Sequence, residues 1–200
     1  MDPDDAADIA LANQTQDMIK VEQSDRGNFE VPDWEQASLN NIRGLLVALG
    51  ATAPPEAANR AFGSREEVDP VMHLIGTAAG WGGNPPGAAV YPNGFPSQND
   101  GTTPYALTVK DVPVDGFWSV TVYNEEGYME KNALGVNSFN GVTADQNADG
   151  STTIHFGGCD DGRVNCIPIM KGWNYSARLY QPRPEVLDGS WVFPEPKPVK

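Results

Sequence analysis

The sequence predicts a mainly β protein: a jelly-roll-like antiparallel β-sandwich with an N-terminal helical region. Its 200 residues include 21 Gly and 17 Pro, far more than a helical bundle tolerates. From Ala88 onward, short stretches of alternating apolar and polar residues are separated by turn-forming residues, a pattern typical of a sandwich. We therefore expect a helical region over residues 1–80 and the sandwich over residues 81–200.

Three helices are expected in the helical region, packing on the sandwich or on another chain. The first has a loose apolar pattern that ends at Arg26-Gly27-Asn28. The second follows a cap at Pro32-Asp33, and its apolar residues recur at helical spacing until Gly50. The third is expected over residues 69–79, with a proline in its first turn.

Six strands are expected after the helices, and alternation assigns their faces. They span residues 89–91, 105–110, 117–123, 136–139, 151–157 and 173–180. Within the strand 117–123, Trp118, Val120 and Val122 share one side, whereas the remaining polar and aromatic residues share the other. One face of the sheet is therefore core, and the other is polar and aromatic.

The charge of the chain excludes several classes of partner. Thirteen basic residues against 27 acidic residues give a net charge of −14, which repels nucleic acid and anionic lipid surfaces. No apolar run is long enough to cross a membrane, so we expect no membrane insertion. The start of the chain lacks the basic and apolar regions of a signal peptide, so we expect none in the sequence as given.

The two cysteines indicate the compartment. Cys159 and Cys166 lie in a turn-rich polar loop that can bring them within disulfide range, and we expect one disulfide between them. Two thiolates alone do not make a structural zinc site. Because disulfides persist in oxidising compartments, the sequence favours a periplasmic or secreted protein.

Several ordered motifs in the second part of the chain carry a family resemblance. They begin at Tyr105-Ala-Leu-Thr-Val, Asp115-Gly-Phe-Trp-Ser, Asn147-Ala-Asp-Gly-Ser, Asn165-Cys-Ile-Pro, Trp173-Asn-Tyr-Ser-Ala-Arg and Asp188-Gly-Ser-Trp. Over about residues 66–199 the chain resembles the bacterial domain of unknown function 1214. The resemblance implies a jelly-roll-like sandwich, often joined to a second sandwich, the domain of unknown function 1254, which we do not expect in the sequence as given.

One departure from the family concerns the cysteines. Many family members have Asn-Trp-Leu-Pro where this chain has Asn165-Cys166-Ile167-Pro168. The pairing of Cys166 is therefore a feature of a subgroup. Family members are sometimes labelled esterases, but the resemblance implies no settled activity.

An esterase would need a nucleophile, a base and an oxyanion hole. Ser119 and His155 lie on polar faces of their strands and would be neighbours if those strands pair, with Arg178 to hold a carboxylate or oxyanion. The chain has no Gly-x-Ser-x-Gly elbow, and a serine within a strand lacks the sharp turn that exposes a nucleophile. The alternative is a solvent-facing or cross-strand hydrogen-bonded Ser and His, which we favour.

Asp145, Asn147 and Asp149 match the opening of an EF-hand calcium loop. The twelfth position is Phe156 instead of a bidentate Glu, and no helix pattern flanks the loop. We therefore interpret Asp149-Gly150 as a hairpin turn and expect no metal site.

The polar and aromatic face is the main candidate for a binding site. Its flat rings and one bidentate donor suit a sugar or a small aromatic acid. The candidate residues are Trp81, Tyr91, Phe117, Tyr123, Arg178 and Tyr180. The alternative is that Arg178 pairs with a carboxylate such as Asp115 and that the N-terminal helices cover the rings.

Three functions follow from these observations. The first is a non-catalytic domain that binds a small molecule or a protein partner, without a cofactor. The second is a hydrolase that uses Ser119 and His155. The third is an assembly protein that forms homo-oligomers through its helices.

Overall fold

The computed structural model describes residues 5–80 and 82–199. The chain divides after Leu39 into two compact units. The first unit contains helix α1 (Ala6–Asp17) and the start of helix α2 (Gln36–Gly50), and the second contains every later element. The packing and oligomerisation expected of the helical region stay predictions. No helix within the described ranges is both long and apolar enough to cross a membrane.

The first two helices differ from the sequence prediction at their ends. Helix α1 stops at Asp17 instead of continuing towards Arg26, and the Met18 N–H closes it on the Thr15 carbonyl at 3.2 Å. The β-branched residues that follow have low helix propensity. Helix α2 begins later than predicted, because the Glu35 carboxylate, rather than Asp33, caps it by accepting from the Ser38 N–H at 3.0 Å.

The third helix, α3 (Pro70–Ala79), has the predicted bounds. The Asp69 carboxylate accepts hydrogen bonds of 3.0 Å from the N–H groups of Val71 and Met72, which satisfies two N–H groups that have no partner within the helix. A 3₁₀ helix (Pro55–Arg60) precedes it. Next to that helix, the Ala61 carbonyl lies 2.8 Å from His73 Nδ1 of α3, which ties the two elements together.

Within the described residues, nine strands form two sheets. The first sheet has the order β1-β8-β4-β5, with β2 also paired to β8, and the second has the order β7-β6-β3-β9. The strands are β1 (Ala89–Val90), β2 (Asn93–Gly94), β3 (Tyr105–Val109), β4 (Trp118–Tyr123), β5 (Ser138–Asn140), β6 (Thr152–Phe156), β7 (Cys166–Ile167), β8 (Asn174–Tyr180) and β9 (Lys197–Pro198). A four-residue helix, α4 (Pro184–Leu187), follows β8.

The core lies between the two sheets. Buried side chains of β4 and β8 meet those of β3 and β6, and Trp173 at the entry to β8 is fully buried. The Trp173 ring stacks on Phe156 with centroids 5.3 Å apart and meets the edge of Tyr105 at 5.6 Å. The predicted mainly β sandwich is confirmed.

Three short strands were not predicted, namely β2, β7 and β9. Each has two residues, too few for an alternating pattern to show in the sequence. Strand β7 also makes the one departure from antiparallel pairing among the described strands, because it runs parallel to β6.

Candidate functional site

The outer face of the first sheet is centred on Arg178. Ser119 of β4 is its registered partner on one side. On the other side, β1 and β2 pair with β8 in one continuous register, which places Tyr91 opposite Arg178. Strands β4 and β8 and the segment that joins β1 to β2 therefore place the side chains of Ser119, Arg178 and Tyr91 next to one another on one face.

Two neutral hydroxyl groups hold the guanidinium. Arg178 donates from Nη1 to Thr121 Oγ1 at 3.0 Å and from Nη2 to Tyr123 Oη at 2.5 Å. The Thr121 hydroxyl donates onward to Ser138 Oγ at 3.0 Å, and Ser138 donates to the Val120 carbonyl at 2.9 Å. Every proton in this series points away from the guanidinium, so the network orients the positive charge without neutralising it.

The carboxylate suggested as a partner of Arg178 lies elsewhere. Asp115 is exposed and accepts from Arg183 Nε at 2.7 Å. No carboxylate within residues 5–80 and 82–199 makes an ion pair or hydrogen bond with Arg178. The guanidinium therefore keeps several N–H donors for another acceptor.

A cavity of about 700 Å³ opens over this face, between the sheet and the segment that contains the 3₁₀ helix and α3. Arg178 is the one charged residue among the described residues of the lining. The other lining residues are Ala58, Asn59, Ala61, Phe62, Gly76, Ala79, Gly80, Gly82, Gly83, Asn84, Pro86, Ala89, Val90, Tyr91, Asn93, Ser176 and Tyr180. The volume is that of a pocket for a small organic molecule.

Two glycines let the roof of the cavity, defined here as the lining residues 58–83, pack closely. A Cβ atom on Gly76 would lie 2.8 Å from the Ala61 Cβ, and one on Gly83 would lie 2.4 Å from the Phe62 ring. Both glycines therefore allow close packing within the roof, which side chains would push apart.

Two aromatic side chains of the lining have fixed neighbours. Asn84 Nδ2 donates to the Tyr91 hydroxyl oxygen at 2.6 Å. The Tyr180 ring stacks on Phe117 with centroids 4.5 Å apart. The cavity thus combines a cation, an oriented phenol and flat apolar surface.

The predicted binding residues fall into distinct positions. Tyr91, Arg178 and Tyr180 line the cavity, and Tyr123 holds the guanidinium. Phe117 touches Tyr180 from outside the lining and is 45% exposed. Trp81 lies outside the described residues.

Sequence reasoning missed the contributions of Phe62 and Asn84. Neither residue belongs to an alternating or helical pattern that marks it, and both reach the site only because the roof lies over the sheet. The Gly-rich run after α3 was the one available signal, since glycines often mark a close approach.

The candidate hydrolase pair is separated by the topology. Ser119 lies on β4, which pairs with β5 and β8 in the first sheet. His155 lies on β6, which pairs with β3 and β7 in the second sheet. Strands β4 and β6 therefore do not pair, and Ser119 and His155 are not cross-strand neighbours.

His155 has its own environment on the second sheet. It is half-buried, and its Nδ1 atom is buried without a hydrogen-bond partner within the described chain. Burial lowers the pKa of His155, and the charge of Arg163 lowers it further against the opposing effect of Asp161. These effects favour the neutral imidazole, which lies next to Cys166 in the strand register.

The segment that resembles the opening of a calcium loop, residues 145–150, forms a turn before β6. The Asp149 carboxylate accepts from the Ser151 N–H at 3.0 Å and from its hydroxyl at 2.6 Å. Asn147 Nδ2 donates to the hydroxyls of Ser151 and Thr153 at 2.8 and 3.0 Å, and Gly150 adopts a φ of 80°. Across the described ranges, no group of three or more His, Cys, Asp or Glu side chains is placed to hold a metal ion.

Cys159 and Cys166 form the predicted disulfide, with Cα atoms 5.6 Å apart. The bond joins the loop at Cys159–Asp161 to strand β7. It lies on the second sheet, whereas the cavity lies on the outer face of the first sheet.

The fold and the site define a two-sheet β-sandwich domain with a polar cavity on its outer face. Residues 90–184 match the model of the family described as protein of unknown function (DUF1214). The resemblance seen in the sequence motifs is confirmed over this span.

Two solved structures are similar to this chain. The VPA0106 protein from Vibrio parahaemolyticus is 28% identical with a TM-score of 0.61, and the match covers 88% of this chain and 47% of that one. An uncharacterized protein from Burkholderia cenocepacia is 17% identical with a TM-score of 0.36, over 74% of this chain and 38% of that one. The chain thus spans about half the length of the Vibrio protein. The comparison with curated proteins gives no match.

Proposed function

We propose that this domain binds a small aromatic acid in the cavity over the first sheet. The observation that carries the proposal is that Arg178 lines the cavity and that its guanidinium has no carboxylate partner among the described residues. A chain with a net charge of −14 places a lone positive group there, and a bound carboxylate supplies its missing counter-charge.

The rest of the lining selects between the two ligands predicted from the sequence. A neutral sugar would leave the guanidinium uncompensated, whereas an organic acid uses it. The rings of Phe62, Tyr91 and Tyr180 and the small apolar residues of the roof offer surface for a flat apolar body. An aromatic acid satisfies both parts of the cavity, so we favour it over a sugar.

The role is one of binding without chemistry. A hydrolase at this site would need a base near Ser119, and the sequence candidate for that base lies in the other sheet. The Arg178 side chain presents only N–H donors. It supplies charge and orientation, not proton transfer.

Isothermal titration calorimetry with benzoate, benzamide and glucose tests the proposal. We expect benzoate to bind wild-type protein and Arg178→Met to weaken that binding by about 10- to 100-fold, the usual effect of losing a charge-assisted contact. Arg183→Met is the matched control, because Arg183 pairs with Asp115 on the surface and does not line the cavity. Equal benzoate affinity in wild-type protein and Arg178→Met would contradict the proposal.

A second variant tests the cavity itself. Ala79 lines the roof at the end of α3 and is exposed, so Ala79→Trp fills the cavity with little cost to the fold. We expect this variant to lose benzoate binding while its urea unfolding midpoint stays close to that of wild type.

We also infer that the protein works outside the reducing cytoplasm, in the periplasm or after secretion. The disulfide between Cys159 and Cys166 supports this location, because such bonds persist in oxidising compartments. Thiol titration of the denatured, unreduced protein from its native host should detect no free thiol. Two free thiols in that sample would contradict the location.

A further inference from the structure

We infer that Tyr91, oriented by Asn84, is the residue that makes the cavity select a carboxylate over a neutral carboxamide. This inference rests on the proposed function and adds a second contact to the one from Arg178. The Tyr91 hydroxyl donates to one oxygen of the bound carboxylate while the guanidinium holds the other.

The position of Tyr91 follows from the sheet register. The continuous register of β1 and β2 against β8 places Tyr91 directly opposite Arg178, and both residues line the cavity. Opposite residues of an antiparallel pair have Cβ atoms about 4.5–5.5 Å apart. The two side chains therefore leave neighbouring positions on the same face of the sheet, and we expect both to reach one small bound group.

The direction of the hydrogen bond between Asn84 and Tyr91 determines whether the Tyr91 hydroxyl donates to a ligand or accepts from it. Asn84 Nδ2 donates to the Tyr91 hydroxyl oxygen at 2.6 Å, which occupies an acceptor site of that oxygen. The phenolic proton is left to point towards an acceptor in the cavity. Arg178 also presents only donors, so the two residues together face the ligand with hydrogen-bond donors.

A carboxylate and a carboxamide differ at this pair of donors. Both oxygens of a carboxylate are acceptors, and each finds a donor. A carboxamide has one acceptor oxygen, and its NH₂ group would meet the donors of the site. A donor that faces another donor is left without an acceptor when the ligand binds, which costs affinity.

The same lining favours one negative charge over two. Arg178 is the one cation among the described lining residues, and the phenol and amides around it are neutral. A dianion such as phthalate would place its second charge without a cation inside a strongly acidic protein. We expect monocarboxylates to bind more tightly than dicarboxylates of similar size.

The experiment measures the ratio of benzoate affinity to benzamide affinity by calorimetry in the full-length protein. We expect Tyr91→Phe to lower the ratio about tenfold, because it removes the phenolic proton and keeps the ring. Asn84→Asp should lower the ratio further, since its carboxylate accepts the phenolic proton and turns a lone pair of Tyr91 towards the ligand. Asn84→Ala should lie between wild type and Asn84→Asp.

Tyr128→Phe is the matched control, because Tyr128 is 72% exposed and does not line the cavity. Its ratio should equal that of wild type. An unchanged ratio in both Tyr91→Phe and Asn84→Asp, with benzoate binding lost in Arg178→Met, would overturn this inference and leave the proposed function intact. Unchanged benzoate binding in Arg178→Met, or no binding of benzoate by wild-type protein at millimolar concentration, would overturn both.

Discussion

Arg178 and Thr121 lie on neighbouring strands of the first sheet and are joined by a hydrogen bond of 3.0 Å from the guanidinium to the hydroxyl. The Thr121 hydroxyl donates a hydrogen bond to Ser138, so its oxygen remains an acceptor for Arg178. The hydroxyl therefore fixes the direction of the guanidinium without supplying a counter-charge. A cation held in this way is prepared for an anion from outside the chain.

Replacing Thr121 should make the guanidinium of Arg178 less ordered. Thr121→Val keeps the shape of the side chain but removes the acceptor for Arg178 and the donor to Ser138. We expect a loss of about 1–2 kcal/mol in the free energy of unfolding, and a several-fold loss of benzoate affinity because the guanidinium is less ordered. Urea denaturation and calorimetry measure the two effects.

Thr108→Val is the control for this prediction. Thr108 exchanges a hydrogen bond of 2.9 Å with Thr153 on the second sheet, away from the cavity lining. This variant should lose stability alone. An equal loss of benzoate affinity in both variants would show that the effect is not specific to Arg178.

Alternation along β4 predicted correctly which residues form the core. Val120 and Val122 are fully buried between the sheets, as their spacing indicated. Alternation did not predict what covers the opposite face, where Ser119 and Thr121 are also buried. Sequence periodicity gives the two sides of a strand but not the distant segment that packs over one of them.

The same limit explains the separation of Ser119 and His155. Each lies on the outer side of its strand, but a polar outer side is present on both sheets of a sandwich. The sheet to which a strand belongs depends on long-range pairing, which the local pattern does not encode. The disulfide was predictable because Cys159 and Cys166 are close in the sequence.

The separation of that pair leads to a prediction about hydrolysis. Residues that act as one catalytic unit lose activity together when either is removed. Because Ser119 and His155 lie in different sheets, we expect wild-type protein, Ser119→Ala and His155→Ala to show the same rate with p-nitrophenyl acetate. A large and equal loss of rate in both variants would restore the hydrolase hypothesis.

Gly101 should be sensitive to substitution for two separate reasons. It has a φ of 82°, and a Cβ atom there would lie 2.5 Å from the backbone nitrogen of Lys171. Gly127 has a similar φ of 86° but open space around its Cβ position. We expect Gly127→Ala to cost about 1 kcal/mol from backbone strain alone and Gly101→Ala to cost about 1–3 kcal/mol more from the contact. Equal urea midpoints for the two variants would show that the Lys171 backbone moves freely.

Asn165 joins two segments of the second half of the chain. It is buried, its Oδ1 accepts from the Asp145 N–H at 2.8 Å, and its Nδ2 donates to the carbonyls of Asp145 and Thr153 at 2.8 and 3.0 Å. We expect Asn165→Ala to cost about 3 kcal/mol in urea unfolding, roughly 1 kcal/mol for each bond. Because Asn165 has a φ of 52°, Asn165→Gly should be less destabilising by about 1 kcal/mol. Equal losses would show that strain at this position is absent.

His155 should make stability depend on pH in one direction. Its pKa is lowered from 6.5, chiefly by burial, so the unfolded chain binds a proton at this residue more readily than the folded chain. Its contribution to stability is fully present above the unfolded pKa and is lost as the pH falls towards the folded value. His155→Gln should therefore flatten the decline of the thermal midpoint between about pH 7 and about pH 5. His73→Gln is the control, since His73 is the other histidine and packs against Ala61 on the roof. A decline in His155→Gln as steep as that of wild type would assign the pH dependence to other groups.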